Sequence, residues 1–418
     1  MDRFTEILKG IKNCECGRDH LVPLKKIIMK ADALNELPEL ISFLGDFSCV
    51  SMIADENTYK VAGKRVEEIC DLTDVIVLDP YHLHATEKAV DTVKKGLGKC
   101  ELLLAVGSGT IHDITRYVAH EMGIPFVSVP TAPSVDGFVS NVAAMTLGGV
   151  KVTTPATCPI AVCADTKILA SSPKRLIASG FADLLGKYTA LADWKITSII
   201  TGEYICDRVM DLEYQVIDDM MKNIDGINNR DYDAIENLMY GLILSGMAIQ
   251  MVGYSRPASG SEHHISHFIE MNIVNDENDA LHGEKVGVGL AMVCDLYHGI
   301  MALDDLEDRI TDNNQMPNDK IDAMFKDVAE GIYKENAKNP LEDVKKENII
   351  AVLPIIKNII DELPTGDEMR EILRSVGCPC TLSDIGLSED LKETIYYYAP
   401  FVRSRLTFMR FAHMIERG

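Results

Sequence analysis

Positive charge is scarce in this sequence: 41 Lys and Arg face 64 Asp and Glu, a formal net charge of -23. Polyanions are bound by surplus Lys and Arg, so a nucleic-acid binder is excluded and an anionic membrane surface is disfavoured. Long apolar runs are missing as well. No stretch of about 18 apolar residues stands out, so no membrane span is expected. The opening MDRFTEILKGIKNCECGRDH carries acids and lysines and lacks the apolar core of a signal peptide, which makes a cytoplasmic protein the expectation. The eleven cysteines are an odd number, and most lie in apolar runs such as ATCPIAVCADT, a pattern of reduced thiols rather than a disulfide framework. Histidine occurs only 11 times, yet four fall between Ser255 and Lys285, and that clustering asks for a reason.

What is present is globular. About 47% apolar and 25% charged residues suffice for a sizeable core, and 418 residues suffice for two domains. Over residues 40–165, short apolar runs end at Gly or Pro: Asp74–Pro80, Cys100–Gly109 and Ile124–Pro133. Buried parallel strands read this way, and the polar-periodic ATEKAVDTVKKGLG between two of them suits a crossover helix. Repetition of strand and helix predicts a doubly wound, Rossmann-like α/β domain over 1–171. From Ser172-Pro173 onward the periodicity is helical, which predicts an all-α domain over 172–418. An active site in the cleft between two such domains is the default expectation.

Several loops of the first domain invite a nucleotide. In AVGSGTIHD a buried strand runs into Gly107-Ser108-Gly109 and then a helix. Glycines admit a phosphate to the backbone, and a helix N-terminus offers N–H groups and a positive dipole end. Ile111 and His112 break the full G-x-G-x-x-G spacing, so a tight strand-to-helix turn fits equally well. In SVPTAPSVDGFVSN, Thr131, Ser134, Asp136 and Ser140 lie on a loop after a strand, where open α/β sheets bind ligands; a solvated polar loop is the alternative. Asp55 ends another apolar run, placed to accept hydrogen bonds from a ribose and favour NAD over NADP, or simply to make a turn.

The helical half is more pointed. Asp183 is an acid in an otherwise apolar stretch, and a lone buried carboxylate must be paired or bind a cation. Lys187, one turn on, is a possible partner. In SGSEHHISH, His263 and His267 are four apart and share a helix face, while His264 points elsewhere; His282 opens HGEKVGVG. One carboxylate and two imidazoles leave positions open on a divalent ion, as a catalytic metal site requires. By contrast Cys14, Cys16 and His20 in CECGRDH are one ligand short of a closed tetrahedral zinc site, so a plain N-terminal loop stands beside a small metal site.

GFADLLGKYTALADWK, SRPASGSEHHISH and HGEKVGVG, following a GSGTIHD turn, resemble the sn-glycerol-1-phosphate dehydrogenases in their bacterial, AraM-type branch. That family lies in the iron-containing alcohol dehydrogenase and dehydroquinate synthase-like superfamily. The resemblance spans roughly residues 20–415, and the C-terminal APFVRSRLTFMRFA is similar to the bacterial branch. It implies a metal triad of Asp183, His263 and His282; substrate contacts from His267, Asp136 and Asp183; and cofactor contacts from Gly107, Ser108, Gly109, Asp113, Thr131, Ser134 and Ser140. Many archaeal relatives have three glycines where Ser108 stands in the middle here, and His264 departs from the pattern. The implied reaction is NAD(P)H-dependent reduction of dihydroxyacetone phosphate to sn-glycerol 1-phosphate, with zinc, nickel or iron as Lewis acid. His267 would relay the proton, and Arg256 and Lys187 are the candidates for the substrate phosphate. A homodimer is expected. The alternatives are a polyol dehydrogenase for unphosphorylated substrates, a dehydroquinate synthase-like lyase, and a non-catalytic nucleotide-binding protein.

Overall fold

The expected strands Asp74–Pro80, Cys100–Gly109 and Ile124–Pro133 contain β3 (Asp74–Leu78), β4 (Leu102–Gly107) and β5 (Phe126–Pro130). The structure, a computed structural model, describes residues 3–148, 150–271, 274 and 279–416. β1 (Lys26–Lys30), β2 (Val50–Asp55) and β8 (Ala161–Asp165) complete a six-stranded sheet in the order β1-β8-β5-β4-β2-β3, every pair parallel. Every position of β2, β4, β5 and β8 is buried. Cover on both faces is why these strands read as unbroken apolar runs rather than alternating ones. β6 (Val142–Leu147) and β7 (Val150–Pro155) form a separate antiparallel hairpin.

Chain order and sheet order diverge at two places: β1 lies at the far edge beside β8, and the direction of winding reverses after β3. β2 leads outward to β3, whereas β4, on the other side of β2, leads the opposite way to β5. This reversal is the switch point at which open α/β sheets bind ligands outside the strand carboxyl ends. Ile53 pairs with Ala105, so Asp55 and Gly107 flank the crevice at the same level.

By packing, the chain forms two compact units: Met1–Phe181 with Asp218–Tyr254, and Ala182–Ile217 with Ser255–Gly418. The chain thus passes from one to the other after 181, 217 and 254, where the sequence reading draws one boundary after 171. In the first unit, helix Tyr232–Val252 is long and apolar enough to cross a membrane by length and composition alone, but 78% of its apolar window is buried, as in the core helix of a globular unit. A Cβ on its Gly246 would lie 2.5 Å from Val139 and 2.8 Å from the Asp136 carbonyl, so glycine is what lets the helix close on loop 136–139.

Among the described residues, every element after Ser172 is helical, as expected. The second unit centres on helices Lys187–Thr201, Ser261–Glu270 and His282–Met301. Ile265, Phe268, Val288 and Met409 lie at 0% exposure in its main cluster, each burial worth roughly 1.5–3 kcal/mol. A Cβ at Gly289 would meet the Glu262 carbonyl at 2.7 Å, so this glycine permits the tight crossing of the two histidine-bearing helices.

Candidate functional site

In the second unit, ligand atoms of Asp183, His263 and His282 lie within 4.8 Å of one another. Three helices supply them: Asp183 near the end of Lys174–Leu185, His263 in the first turn of Ser261–Glu270, and His282 at the start of His282–Met301. His267, one turn after His263, closes the group; its ring centroid is 6.2 Å from that of His263 and 6.0 Å from that of His282. His263 and His267 do share a face. His264 turns away, fully buried, with neither ring nitrogen hydrogen-bonded among the described residues.

The imidazoles are held from behind. His263 Nδ1 donates to Glu262 Oε1 at 2.7 Å, and His282 Nδ1 donates to Glu270 Oε1 at 2.9 Å. Each ring therefore turns its Nε2 toward the space beside Asp183, whose Oδ1 is 3.4 Å from His263 Nε2. Carboxylate-backed imidazoles are the usual support of metal-binding histidines. One carboxylate and two such imidazoles fit a divalent cation with open positions. Glu270 does double duty, because its Oε2 takes the Nδ1–H of His267 at 3.3 Å. The sequence reading missed both glutamates. Glu270 carried a signal, standing one turn after His267 and two turns after His263; Glu262 carried none, since adjacent residues point apart on a helix.

The electrostatics favour positive charge here. Burial works to raise the Asp183 carboxyl, but Lys187, His263 and His282 outweigh it and hold it well below the usual carboxylate range. Burial lowers His263, yet its bonds to Asp183 and Glu262 prevail and raise it to about 9. Two carboxylates flanking one ring stabilise positive charge at that point. His267 goes the other way: burial, with Arg403 adding to it against Glu270, takes it down to about 3, so the ring is neutral.

The two expected phosphate cations are both engaged. Lys187, fully buried, donates to the Asp183 carbonyl at 3.0 Å and lies 3.7 Å from Oδ1. Arg256, 3% exposed, forks onto both carboxylate oxygens of Glu203 and also meets the Leu406 carbonyl. Two further arginines escaped the sequence reading. Arg403 bears electrostatically on His267 and His264, and Arg405, which donates to Ser255 and Ser259, bears on His264.

The first unit presents main chain instead. β4 ends at Gly107, Ser108 caps helix Gly109–Met122 without a side-chain hydrogen bond, and the first amides of that helix face the switch point. A Cβ on Gly107 would lie 2.6 Å from Ile111 Cβ, and one on Gly109 would lie 3.3 Å from Val135, so the turn is closed to side chains. Asp113 bonds Arg116 at 3.1 Å, and the buried Arg116, also missed, reaches the carbonyls of Gly137 and Val142 and so ties the helix to the next loop. On that loop the Thr131 amide bonds the Gly107 carbonyl at 3.0 Å, the Ser134 carbonyl accepts from Ser179 at 3.1 Å, and Ser140 folds back on Val142. Asp136 accepts from Ser245 at 3.1 Å. Asp55 Oδ1 caps the following turn through the amides of Asn57 and Thr58 at 2.8 and 2.9 Å.

A family model described as iron-containing alcohol dehydrogenase matches residues 28–173. Over 98% of its length the chain is 34% identical to a glycerol-1-phosphate dehydrogenase (NAD(P)+) of Bacillus licheniformis, covering 94% of that protein. It is 31% identical over 97% of its length to one of Halalkalibacterium halodurans, covering 98% of it. Among solved structures, a probable glycerol dehydrogenase from Sinorhizobium meliloti superposes with a TM-score of 0.63 at 18% identity, covering 94% of this chain and 95% of that one. That last likeness is one of fold.

Proposed function

The chain belongs to the glycerol-1-phosphate dehydrogenases of the iron-containing alcohol dehydrogenase family, and from that membership we propose that it is an NAD(P)-dependent oxidoreductase interconverting dihydroxyacetone phosphate and sn-glycerol 1-phosphate. The observation that carries the reading is the Asp183–His263–His282 cluster with its carboxylate-backed rings. Reduction adds a hydride to the carbonyl carbon and a proton to its oxygen; when bound, the reduced dinucleotide supplies the hydride and a divalent cation draws charge from the oxygen.

The residues divide the remaining work. Asp183, His263 and His282 would hold the cation, and Glu262 and Glu270 keep the two rings aimed. Glu270 takes the Nδ1–H of His267, so His267 Nε2 presents a lone pair that accepts the alcohol proton in oxidation and passes a proton back in reduction. Asp136, steadied by Ser245, orients a substrate hydroxyl. Gly107, Ser108 and Gly109 with the first amides of their helix receive the pyrophosphate; Asp55 serves the ribose, and Thr131, Ser134, Ser140 and Asp113 shape the rest of the cofactor site. Lys187 and Arg256 contribute charge for the substrate phosphate, and Arg403 joins them as the cation felt at His267. Zinc, nickel and iron all suit this donor set.

One observation favours a second reading. A guanidinium already forked onto Glu203 has less to offer a phosphate, which would suit an unphosphorylated polyol. The deciding experiment follows NADH and NADPH oxidation by metal-stripped protein with dihydroxyacetone phosphate or dihydroxyacetone, before and after adding zinc, nickel or iron. The proposal expects metal-dependent turnover with strong preference for the phosphorylated ketone. Equal or better use of the unphosphorylated ketone would overturn the phosphate assignment.

A further inference from the structure

The N-terminal segment contains a ten-residue loop with almost no apolar interior. Ile11 and His20 pair as an antiparallel bridge, N–O distances 2.9 and 2.8 Å, and close the loop at its base. Inside it, the Gly17 amide bonds the Cys14 carbonyl at 2.9 Å, and Asn13 and Gly17 take positive φ values of 53° and 82°. Of residues 11–20 only Cys14 and His20 are buried. A tight loop that gathers polar ligand-type side chains instead of apolar ones must draw its order from something other than hydrophobic burial.

The side chains inside are disposed as ligands. Cys14 Sγ, Cys16 Sγ and a ring nitrogen of His20 lie within 4.8 Å of one another. His20 Nδ1 is 2.8 Å from the Met251 carbonyl, which can only accept, so Nδ1 carries the proton and Nε2 the lone pair. That Nε2 is 3.2 Å from Cys16 Sγ. A backbone carbonyl fixing the tautomer of a ring whose other nitrogen faces thiols is the outer-shell arrangement of a metal-bound histidine. Around tetrahedral zinc, with Zn–S near 2.3 Å and Zn–N near 2.0–2.1 Å, sulfur and nitrogen ligands stand about 3.5 Å apart. A shift of a few tenths of an ångström brings the pair to that spacing.

We propose that Cys14, Cys16 and His20 hold a second metal ion, zinc, in a structural site separate from Asp183, His263 and His282. Two thiolates and an imidazole select zinc over the hard cations. The ion has a mechanical task. Through His20 and Met251 it fastens the N-terminal segment to the end of helix Tyr232–Val252, and Phe4, whose ring centroid is 4.9 Å from that of Tyr240, holds the same helix further back.

The test is zinc-edge X-ray absorption on the full-length, zinc-loaded protein. Asp183, His263 and His282 offer no sulfur, so a sulfur shell at about 2.3 Å reports the loop, averaging about one sulfur per zinc when both sites are filled and about two when the loop alone holds zinc; an intensity above those values shows a further sulfur in the remaining position. The proposal expects that shell in the wild type and in a His263→Ala/His282→Ala variant, with one zinc per chain retained by the variant after dialysis. It expects the shell to vanish in Cys14→Ser/Cys16→Ser. A spectrum with only nitrogen and oxygen neighbours, or loss of all zinc from the His263→Ala/His282→Ala variant, overturns it. If the cysteine variant fails to fold, the wild-type spectrum decides alone.

Discussion

The two candidate binding regions are made of different material. In the first unit the switch point offers main chain: glycines without side chains, helix amides, and a buried Arg116 that ties the turn to the loop after β5. In the second unit the site is all side chain, with Asp183 and three imidazoles backed by two glutamates. A site of amides is damaged by adding atoms. A site of side chains is damaged by taking charge or a lone pair away. The contrast predicts where each should fail.

Glu270→Gln should have the largest effect. Glu270 accepts Nδ1–H from both His267 and His282, and an amide can accept only one of them while turning an N–H toward the other. Losing outer-shell support typically costs 10–100-fold, so metal affinity by competitive chelation should fall on the order of 10–100-fold, with NADH binding unchanged. Unchanged metal affinity would show that the second site does not depend on its glutamates. Gly107→Ala is the converse. Its new Cβ would press on Ile111 Cβ, costing about 1–3 kcal/mol in denaturant unfolding and weakening NADH in a fluorescence titration, while metal affinity stays as it was. Wild-type NADH affinity in this variant would mean that the turn is not where the dinucleotide sits.

The smallest effect sharpens the contrast through pH. Burial pushes His112, beside the glycine turn, down to about 3, with its Nδ1 bonded to the Ser108 carbonyl and its Nε2 to Ser128. The unfolded chain titrates near 6.5, so the stabilisation from holding this ring neutral is fully present above that pH. It drains away as pH falls toward 3, at about 1.4 kcal/mol per pH unit. Urea unfolding at pH 7 and pH 5 should therefore show a steeper acid loss in the wild type than in His112→Gln. Parallel losses would mean that the ring is charged in the fold.

The contrast also explains what could be read in advance. β3, β4 and β5 announced themselves because Gly and Pro punctuate runs of buried residues. β1 is five residues with lysines at both ends, and β6, though Gly148 follows it, alternates buried with half-buried residues, so neither reads as an unbroken apolar run. The four-residue step from His263 to His267 declared a shared face. Nothing in spacing joins residue 183 to residues 263 and 282; residue type suggested the grouping, the resemblance named the triad, and three helices realise it. Glu262 and Glu270 look like any solvated acids until the rings they hold are known. Arg403 and Arg405 acquire meaning only when the C-terminal stretch is brought beside Ser255 and His264. Likewise, helical periodicity placed 232–252 with everything after 172 in the second domain, whereas by packing the helix joins the first unit.

That last assignment bears on how the protein is made. The first unit is not complete at residue 181, because it needs Asp218–Tyr254. A ribosome adding roughly 5–20 residues per second must lay down some seventy more before this unit can close, a wait of about 4–15 s. Through that interval the nascent chain shows the apolar surface that helix Tyr232–Val252 will later cover, and then the helix itself, which is long and apolar enough to cross a membrane by length and composition. Expression yield should therefore depend on the pace of synthesis across that stretch and on chaperones that shield it.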